Sequence, residues 1–165
     1  MSQGEREIPV DTPSQEKEED EKSSYTYKAG CHCGYIKFSV TLTPSLSHSK
    51  VLNCNCSACT RFGYLLVYPE ASSVTWHNDS RARCSNYRFN TKDKDQMFCK
   101  HCGASIGIDF REVYAPKHIY GISVRTFFDI DLDSLTYRKL DGRNKVPPAG
   151  DLSGQYWDEK AHELK

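Results

Sequence analysis

The stretch Cys99-Lys100-His101-Cys102-Gly103 repeats in outline an earlier one, Cys31-His32-Cys33-Gly34. Each places two thiols on a short turn followed by glycine, which tolerates positive φ and lets backbone N–H groups reach the sulfur atoms. Two such turns brought together supply four thiolates, the ligand set of a closed structural zinc site. If they share one ion, it ties the start of the domain to its later strands.

A further cluster, Cys54-Asn55-Cys56-Ser57-Ala58-Cys59, holds three cysteines and no directly following glycine. On a loop, these spacings bring all three sulfurs around one ion. Three thiolates leave one position of a zinc ion vacant, and a vacant position suits a thiol ligand or chemistry. For Cys84 two alternatives stay open: it is the fourth ligand of a closed second site, or it is an ordinary buried thiol.

Composition limits the function classes. The chain has 165 residues, enough for one domain with tails, and 22 Lys+Arg balance 22 Asp+Glu. Because the net charge is zero, we do not expect a nucleic-acid partner. Residues 1–22 lack the apolar core of a signal peptide and no run is long enough to span a membrane, so we expect a cytoplasmic or also nuclear protein. Clustered thiols in a reducing compartment favour metal over disulfides.

The residue pattern predicts three parts and a mainly β fold. Residues 1–24 are predicted to be a disordered acidic tail, residues 25–143 a zinc-binding domain, and residues 144–165 a loosely attached tail with an anchor at Tyr156-Trp157. Short β-prone runs separated by turn residues, with almost no helical periodicity, indicate strands. The predicted strands are Tyr35–Leu42, Tyr64–Tyr68, Ser73–Trp76, Cys84–Phe89, Ser105–Phe110 and Ile119–Val124.

Three motifs in order resemble the glutathione-dependent formaldehyde-activating enzyme family, also called the CENP-V/GFA domain. They are Gly30–Phe38 (GCHCGYIKF), Cys54–Gly63 (CNCSACTRFG) and Phe98–Ser105 (FCKHCGAS). Ser123-Val124-Arg125 followed by Asp129-Ile130-Asp131-Leu132 is similar to a weaker late signature. The resemblance covers residues 27–142.

The resemblance implies a zinc-bound β domain of the β-tent type with two zinc ions. Cys31, Cys33, Cys99 and Cys102 would hold the structural zinc, and Cys54, Cys56 and Cys59 the catalytic zinc. The implied reaction is a carbon–sulfur lyase reaction that joins glutathione, as co-substrate, to formaldehyde or a related aldehyde, giving S-hydroxymethylglutathione.

Two arginines near the cysteine clusters are candidates to bind the substrate. Arg61 follows the three cysteines closely and is a candidate to bind a carboxylate of glutathione; Arg125 is a similar candidate. The alternative to an enzyme is a non-enzymatic, zinc-stabilised β module that binds a protein or polymer partner. The acidic tail and a second site closed by Cys84 would favour that alternative.

Overall fold

The computed structural model describes residues 23–89, 91–145 and 157–164. The fold of this part of the chain is mainly β, as the sequence predicts, with few and short helices. The strands are β1 Tyr25–Gly30, β2 Lys37–Leu42, β3 Val51–Cys54, β4 Leu66–Val67, β5 Val74–Trp76, β6 Cys84–Tyr87, β7 Asp95–Cys99, β8 Ser105–Asp109, β9 Tyr120–Ser123, β10 Tyr137–Leu140, β11 Trp157–Asp158 and β12 Glu163–Leu164.

Among the described residues, three α-helical segments accompany the strands: α1 Ser57–Phe62, α2 Ser80–Arg83 and α3 Gly142–Lys145. The same part of the chain has short 3-10 turns at Ala71–Ser73, Val124–Thr126 and Leu132–Ser134. No helix in the described ranges is long and apolar enough to cross a membrane. Each of the six predicted strand runs contains an observed strand, in each case shorter than predicted.

Two larger sheets contain most of the strands that the structure describes. A three-stranded antiparallel sheet has the order β1-β2-β5, and a seven-stranded sheet has the order β10-β3-β4-β9-β8-β7-β6. All neighbours in the larger sheet are antiparallel except β10 and β3, which run parallel. A separate hairpin pairs β11 with β12.

The two faces of the large sheet bury different sets of side chains. Along β4 and the residue before it, Leu65 and Val67 join the core between the sheets, whereas Leu66 joins a second cluster. This alternation follows from the period of two in a strand. We call the side that packs against the small sheet the inner face and the other side the outer face.

Large apolar side chains from both sheets fill the inner core. Phe38 and Val40 come from β2, and Met97, Ile106 and Ile122 come from the large sheet, all of them fully buried. Burial of each side chain of this size contributes about 1.5–3 kcal/mol. The core therefore contributes to holding the two sheets together, in addition to any metal.

Most of the tail predictions lie outside the described residues. Residues 1–22 and Tyr156 are not described, so the acidic tail and half of the predicted anchor stay predictions. The boundaries of the three parts also stay predictions. Within the C-terminal part, the structure shows the β11–β12 hairpin, which the sequence did not predict.

Candidate metal centres

Two hairpin turns build the first cysteine group. Cys31 and Cys33 lie in the turn that joins β1 to β2, and the Cys31 N–H donates to the Ile36 carbonyl across that turn at 3.0 Å. Cys99 and Cys102 belong to the turn that joins β7 to β8. The two turns come from different sheets, yet they meet. We call Cys31, Cys33, Cys99 and Cys102 the four-cysteine site.

The sulfur spacing of the four-cysteine site fits one tetrahedral metal ion. All four Sγ atoms lie within 4.8 Å of one another. The Cys31 and Cys33 sulfurs are 3.6 Å apart, and the Cys33 and Cys99 sulfurs are 3.8 Å apart. Four sulfurs at tetrahedral corners, each about 2.3 Å from zinc, lie about 3.8 Å from one another. The residues therefore suit a closed site.

The glycine after each cysteine pair has the predicted conformation. Gly34 has φ 77° and Gly103 has φ 74°, a region that disfavours side chains. Gly34 N–H donates to the Cys31 carbonyl at 3.2 Å, and Gly103 N–H donates to the Cys99 carbonyl at 2.8 Å. The curled backbone directs Ile36 N–H at the Cys31 sulfur, 3.2 Å away. N–H donors of this kind stabilise thiolates.

The same effect is visible in a thiol of the second turn. The backbone N–H of Ala104 donates to Cys102 and lowers the pKa of that thiol to about 6. Because a metal ligand must be the thiolate, this backbone arrangement prepares Cys102 to bind an ion.

The second group, Cys54, Cys56 and Cys59, lies at the start of a helix. We call it the three-cysteine site. Cys54 ends β3, Cys56 is the N-cap of α1, and Cys59 lies buried within α1. Their sulfurs also lie within 4.8 Å of one another. The expectation of a loop is wrong here: α1 has six residues, too few for a helical period to appear in the sequence.

Local hydrogen bonds hold this turn. Cys56 N–H donates to the Cys54 sulfur at 3.4 Å, and Cys59 N–H donates to the Cys56 sulfur at 3.5 Å. Gly63, with φ 68°, ends α1. Cys56 thus replaces the usual Ser, Asp or Asn cap with a sulfur acceptor.

The three thiols differ in acidity. A hydrogen bond from the Cys59 thiol lowers the pKa of Cys56 to about 5. The same hydrogen bond, together with burial, raises the pKa of Cys59, and burial raises that of Cys54. The three sulfurs therefore share one negative charge readily, and a cation is needed for all three to ionise.

Apolar and aromatic side chains on the outer face surround the three-cysteine site. Cys54 and Cys59 belong to a cluster with Leu52, Tyr64, Leu66, Ile108 and Phe110. The Tyr64 hydroxyl donates to the Gly107 carbonyl at 3.1 Å, and its side chain is buried, so Tyr64 is a core residue.

Tyr68 is a neighbour that sequence reasoning missed. Its side chain is 43% exposed, and its ring centroid lies 6.0 Å from that of Phe110. Partial desolvation of the side chain, and then the charges of Cys59 and Cys54, raise the pKa of Tyr68. The sequence offered no signal that Tyr68 lies near the three cysteines, because it ends an ordinary apolar run.

Cys84 lies away from the three-cysteine site. It is buried in the inner core, pairs in register with Cys99 on β7, and directs its thiol at the Ser80 carbonyl, 3.6 Å away. Burial raises the pKa of Cys84 to about 11. The interpretation of Cys84 as a buried thiol is confirmed.

The two candidate arginines are both exposed. Arg61 lies on α1 beyond Cys59, and its Nη1 donates to the Ser57 carbonyl at 3.2 Å. Arg125 donates from Nε to the Gly63 carbonyl at 2.8 Å and lines a cavity of about 460 Å³ with Cys31, His32 and Phe62, among others. Arg61 is therefore beside the three-cysteine site, and Arg125 lies between the two sites.

The fold and these sites define a mainly β protein with two thiol clusters of metal-site spacing. Residues 26–129 match the family model of the glutathione-dependent formaldehyde-activating enzyme, and the chain belongs to that family. The match includes all seven clustered cysteines. It ends before β10 and α3.

A solved structure shows a similar fold. The crystal structure of a Rhodobacter sphaeroides protein aligns with a TM-score of 0.58 and 23% sequence identity, covering 68% of this chain and 97% of that chain. At this identity the likeness concerns the fold alone.

Proposed function

We propose that the protein is a zinc-dependent carbon–sulfur lyase that forms or breaks S-hydroxymethylglutathione or a related thiol adduct. One observation carries the proposal: in a chain of this family, Cys54, Cys56 and Cys59 converge without a fourth cysteine. A closed structural zinc site needs four ligands, so three thiolates leave a position for an outside thiol.

The two sites take different roles in this proposal. Cys31, Cys33, Cys99 and Cys102 hold a structural zinc between the sheets of a β-tent fold, and Cys54, Cys56 and Cys59 hold a catalytic zinc. Thiolate ligands at this spacing favour zinc over the oxygen-binding cations. A zinc ion with one open position would bind the thiol of glutathione and lower its pKa.

The proposed reaction is an addition, and it needs neither an oxidant nor a reductant. The sulfur of the thiol forms a bond to the aldehyde carbon, and the carbonyl electron pair moves to oxygen. The thiol proton leaves and one proton joins the new alkoxide, so the adduct contains all atoms of both substrates. Water is the simplest proton carrier.

The three elements that border the three-cysteine site each carry an arginine, and arginines suit a peptide with carboxylates. Arg61 lies on α1 and Arg143 on α3, and both are exposed. Arg138 on β10 pairs in register with Leu52, so it lies on the same face as Cys54. Arginine binds carboxylates through two parallel hydrogen bonds. We propose that Arg61, with these two residues, orients glutathione.

A titration of the cobalt-substituted protein tests the proposal. Zinc content is measured first, with two ions per chain expected. Glutathione is then added while the thiolate-to-cobalt absorption is followed, and S-methylglutathione, which has no free thiol, is the control. We expect glutathione alone to change the absorption. A second site that binds no ion, or one whose absorption ignores glutathione, contradicts the proposal.

Activity needs a rate measurement, because thiols add to formaldehyde without a catalyst. Exchange between free formaldehyde and the glutathione adduct, followed by magnetisation transfer in NMR, gives that rate. We expect the protein to accelerate exchange in both directions, since a catalyst does not shift the equilibrium.

The non-enzymatic alternative loses one of its supports. Cys84 lies in the inner core and does not join the three-cysteine site. Its other support, the acidic residues 16–21, lies outside the described residues. The lyase is therefore the function that the geometry favours.

A further inference from the structure

A segment beyond the family match lies against the three-cysteine site. β10 runs parallel to β3, with Leu140 in register with Cys54. Asn55 N–H donates to the Leu140 carbonyl at 3.1 Å, which continues the pairing past the end of β3. This register brings α3, which starts at Gly142, onto the turn that carries Cys54 and Cys56.

At Gly142 the approach leaves no room for a side chain. A Cβ atom there would lie 2.4 Å from the Cys54 sulfur and 3.0 Å from the Cys56 Cβ. Contacts under 3.0 Å essentially never occur for real Cβ atoms. Any larger residue therefore forces either the Cys54 sulfur or α3 to move.

Asn55, the residue between two of the candidate ligands, is held by the same segment. Its Nδ2 donates to the Asp141 Oδ1 at 2.9 Å, and its Oδ1 accepts from the Arg143 N–H at 2.9 Å. The other oxygen of Asp141 accepts from Asn144 Nδ2 at 2.8 Å. The side-chain amide is thus used on both sides, which fixes its orientation.

We propose that α3 forms a wall of the three-cysteine site, and that Gly142 and Asn55 are positioning residues that set the placement of Cys54 and Cys56 for an ion. Gly142 acts by leaving space for the Cys54 sulfur, and Asn55 acts by fastening the turn to α3. This inference rests on the proposed function, because it concerns the ion of that site.

The first test is Gly142→Ala, measured by zinc content and by competition with a chelator. Partners that orient metal ligands are typically worth 10–100-fold in metal affinity. We expect one of the two ions to bind at least about tenfold more weakly and its thiolate-to-cobalt absorption to shift. The four-cysteine ion should be unchanged. Lys145→Ala is the matched control, since it changes an exposed side chain of the same helix and keeps the Lys145 backbone N–H that donates to the Asp141 carbonyl.

The second test exchanges the two partners of one hydrogen bond. Asn55→Asp alone places a carboxylate against Asp141 and should weaken the same ion. Adding Asp141→Asn restores an amide–carboxylate pair and the net charge of the original chain. We expect the double variant to recover the affinity and the cobalt absorption, which general destabilisation of the fold would not do.

The outcomes separate this inference from the proposed function. If the unaltered protein holds one ion, the proposed function fails and this inference fails with it. If the unaltered protein holds two ions and Gly142→Ala keeps both affinities and the cobalt absorption, the inference alone is wrong. A double exchange that recovers nothing also overturns the role of Asn55.

Discussion

The two cysteine sites differ in the parts of the chain that they join. The four-cysteine site unites the β1–β2 turn of the small sheet with the β7–β8 turn of the large one, and Cys31 and Cys99 are buried in the inner core. The three-cysteine site takes all of its cysteines from one short segment, Cys54 to Cys59, on the outer face.

In the proposed function, this difference separates a role in folding from a role in chemistry. An ion that joins distant turns closes a long loop, so its binding energy adds directly to the stability of the fold. An ion held within one short segment closes almost no loop and contributes less to the global fold. Its loss can be tolerated, and one of its positions can stay open. The following predictions test this contrast.

Loss of the four-cysteine site should have the largest effect. Cys99 is fully buried, and Cys99→Ser should abolish cooperative folding, since structural zinc contributes about 10–16 kcal/mol in small zinc-dependent units. Circular dichroism during thermal unfolding and zinc content measure the result. A Cys99→Ser protein that unfolds cooperatively near the original temperature would show that the site is not a staple.

Cys59→Ser should keep the fold intact and abolish the proposed reaction. We expect one zinc ion per chain, a retained cooperative transition, and no change of cobalt absorption with glutathione. The two variants together test the contrast: if Cys59→Ser unfolds the protein as Cys99→Ser does, the sites are not functionally distinct.

A third prediction concerns Asp109, a buried carboxylate that belongs to neither cysteine site. Burial opposes the ionisation of Asp109, but hydrogen bonds from Arg81 and His118, at 2.5 and 2.7 Å, outweigh it and hold the pKa of Asp109 below its usual range. A lowered pKa stabilises the fold above the unfolded value, about 4, and this stabilisation is lost as the pH falls further. Asp109→Asn should cost about 1–3 kcal/mol at pH 7.

The pH series isolates that carboxylate. Acid also protonates the cysteines, but it does so in both proteins, so the difference in unfolding free energy between them reports on Asp109. We expect this difference to shrink as the pH falls below about 4, toward the lowered pKa of Asp109. A difference that grows as the pH falls below about 4 contradicts the assignment.

Cys84→Ser should be milder. The serine hydroxyl can still donate to the Ser80 carbonyl, so we expect a loss of about 1 kcal/mol and two retained zinc ions. Elemental analysis and urea unfolding measure both quantities. Loss of an ion would contradict the interpretation of Cys84 as a buried thiol that takes no part in metal binding.

The smallest effect is expected for Arg61→Ala. An exposed charge pair contributes about 0.2–1 kcal/mol, so glutathione binding should weaken by about 1.5–5-fold. Lys50→Ala, at an exposed position just before β3, is the control and should leave binding unchanged. Equal effects of the two changes would exclude a specific role for Arg61.

Two of the strands that sequence reasoning missed, β7 and β10, share a physical cause. β7 begins with Asp95 and Gln96, which are polar yet buried, so the run lacks an apolar pattern. Arg88 and Arg81 come from elsewhere in the chain to pair with Asp95. β10, an edge strand, exposes two of its four residues and gains its order from pairing with β3. Such strands depend on partners that a local window does not include.

The sequence by itself determined the chelating units, because the spacing of Cys31 and Cys33, of Cys99 and Cys102, and of Cys54 to Cys59 is fixed by covalent distance. It also placed a glycine directly after each of the two cysteine pairs, where the turn requires a positive φ. Only the tertiary structure decided which pairs share a site, since that depends on sheet order. It also decided that Cys84 faces the inner core and that Gly142 meets the Cys54 sulfur, because strand register determines which face and which neighbour each residue has.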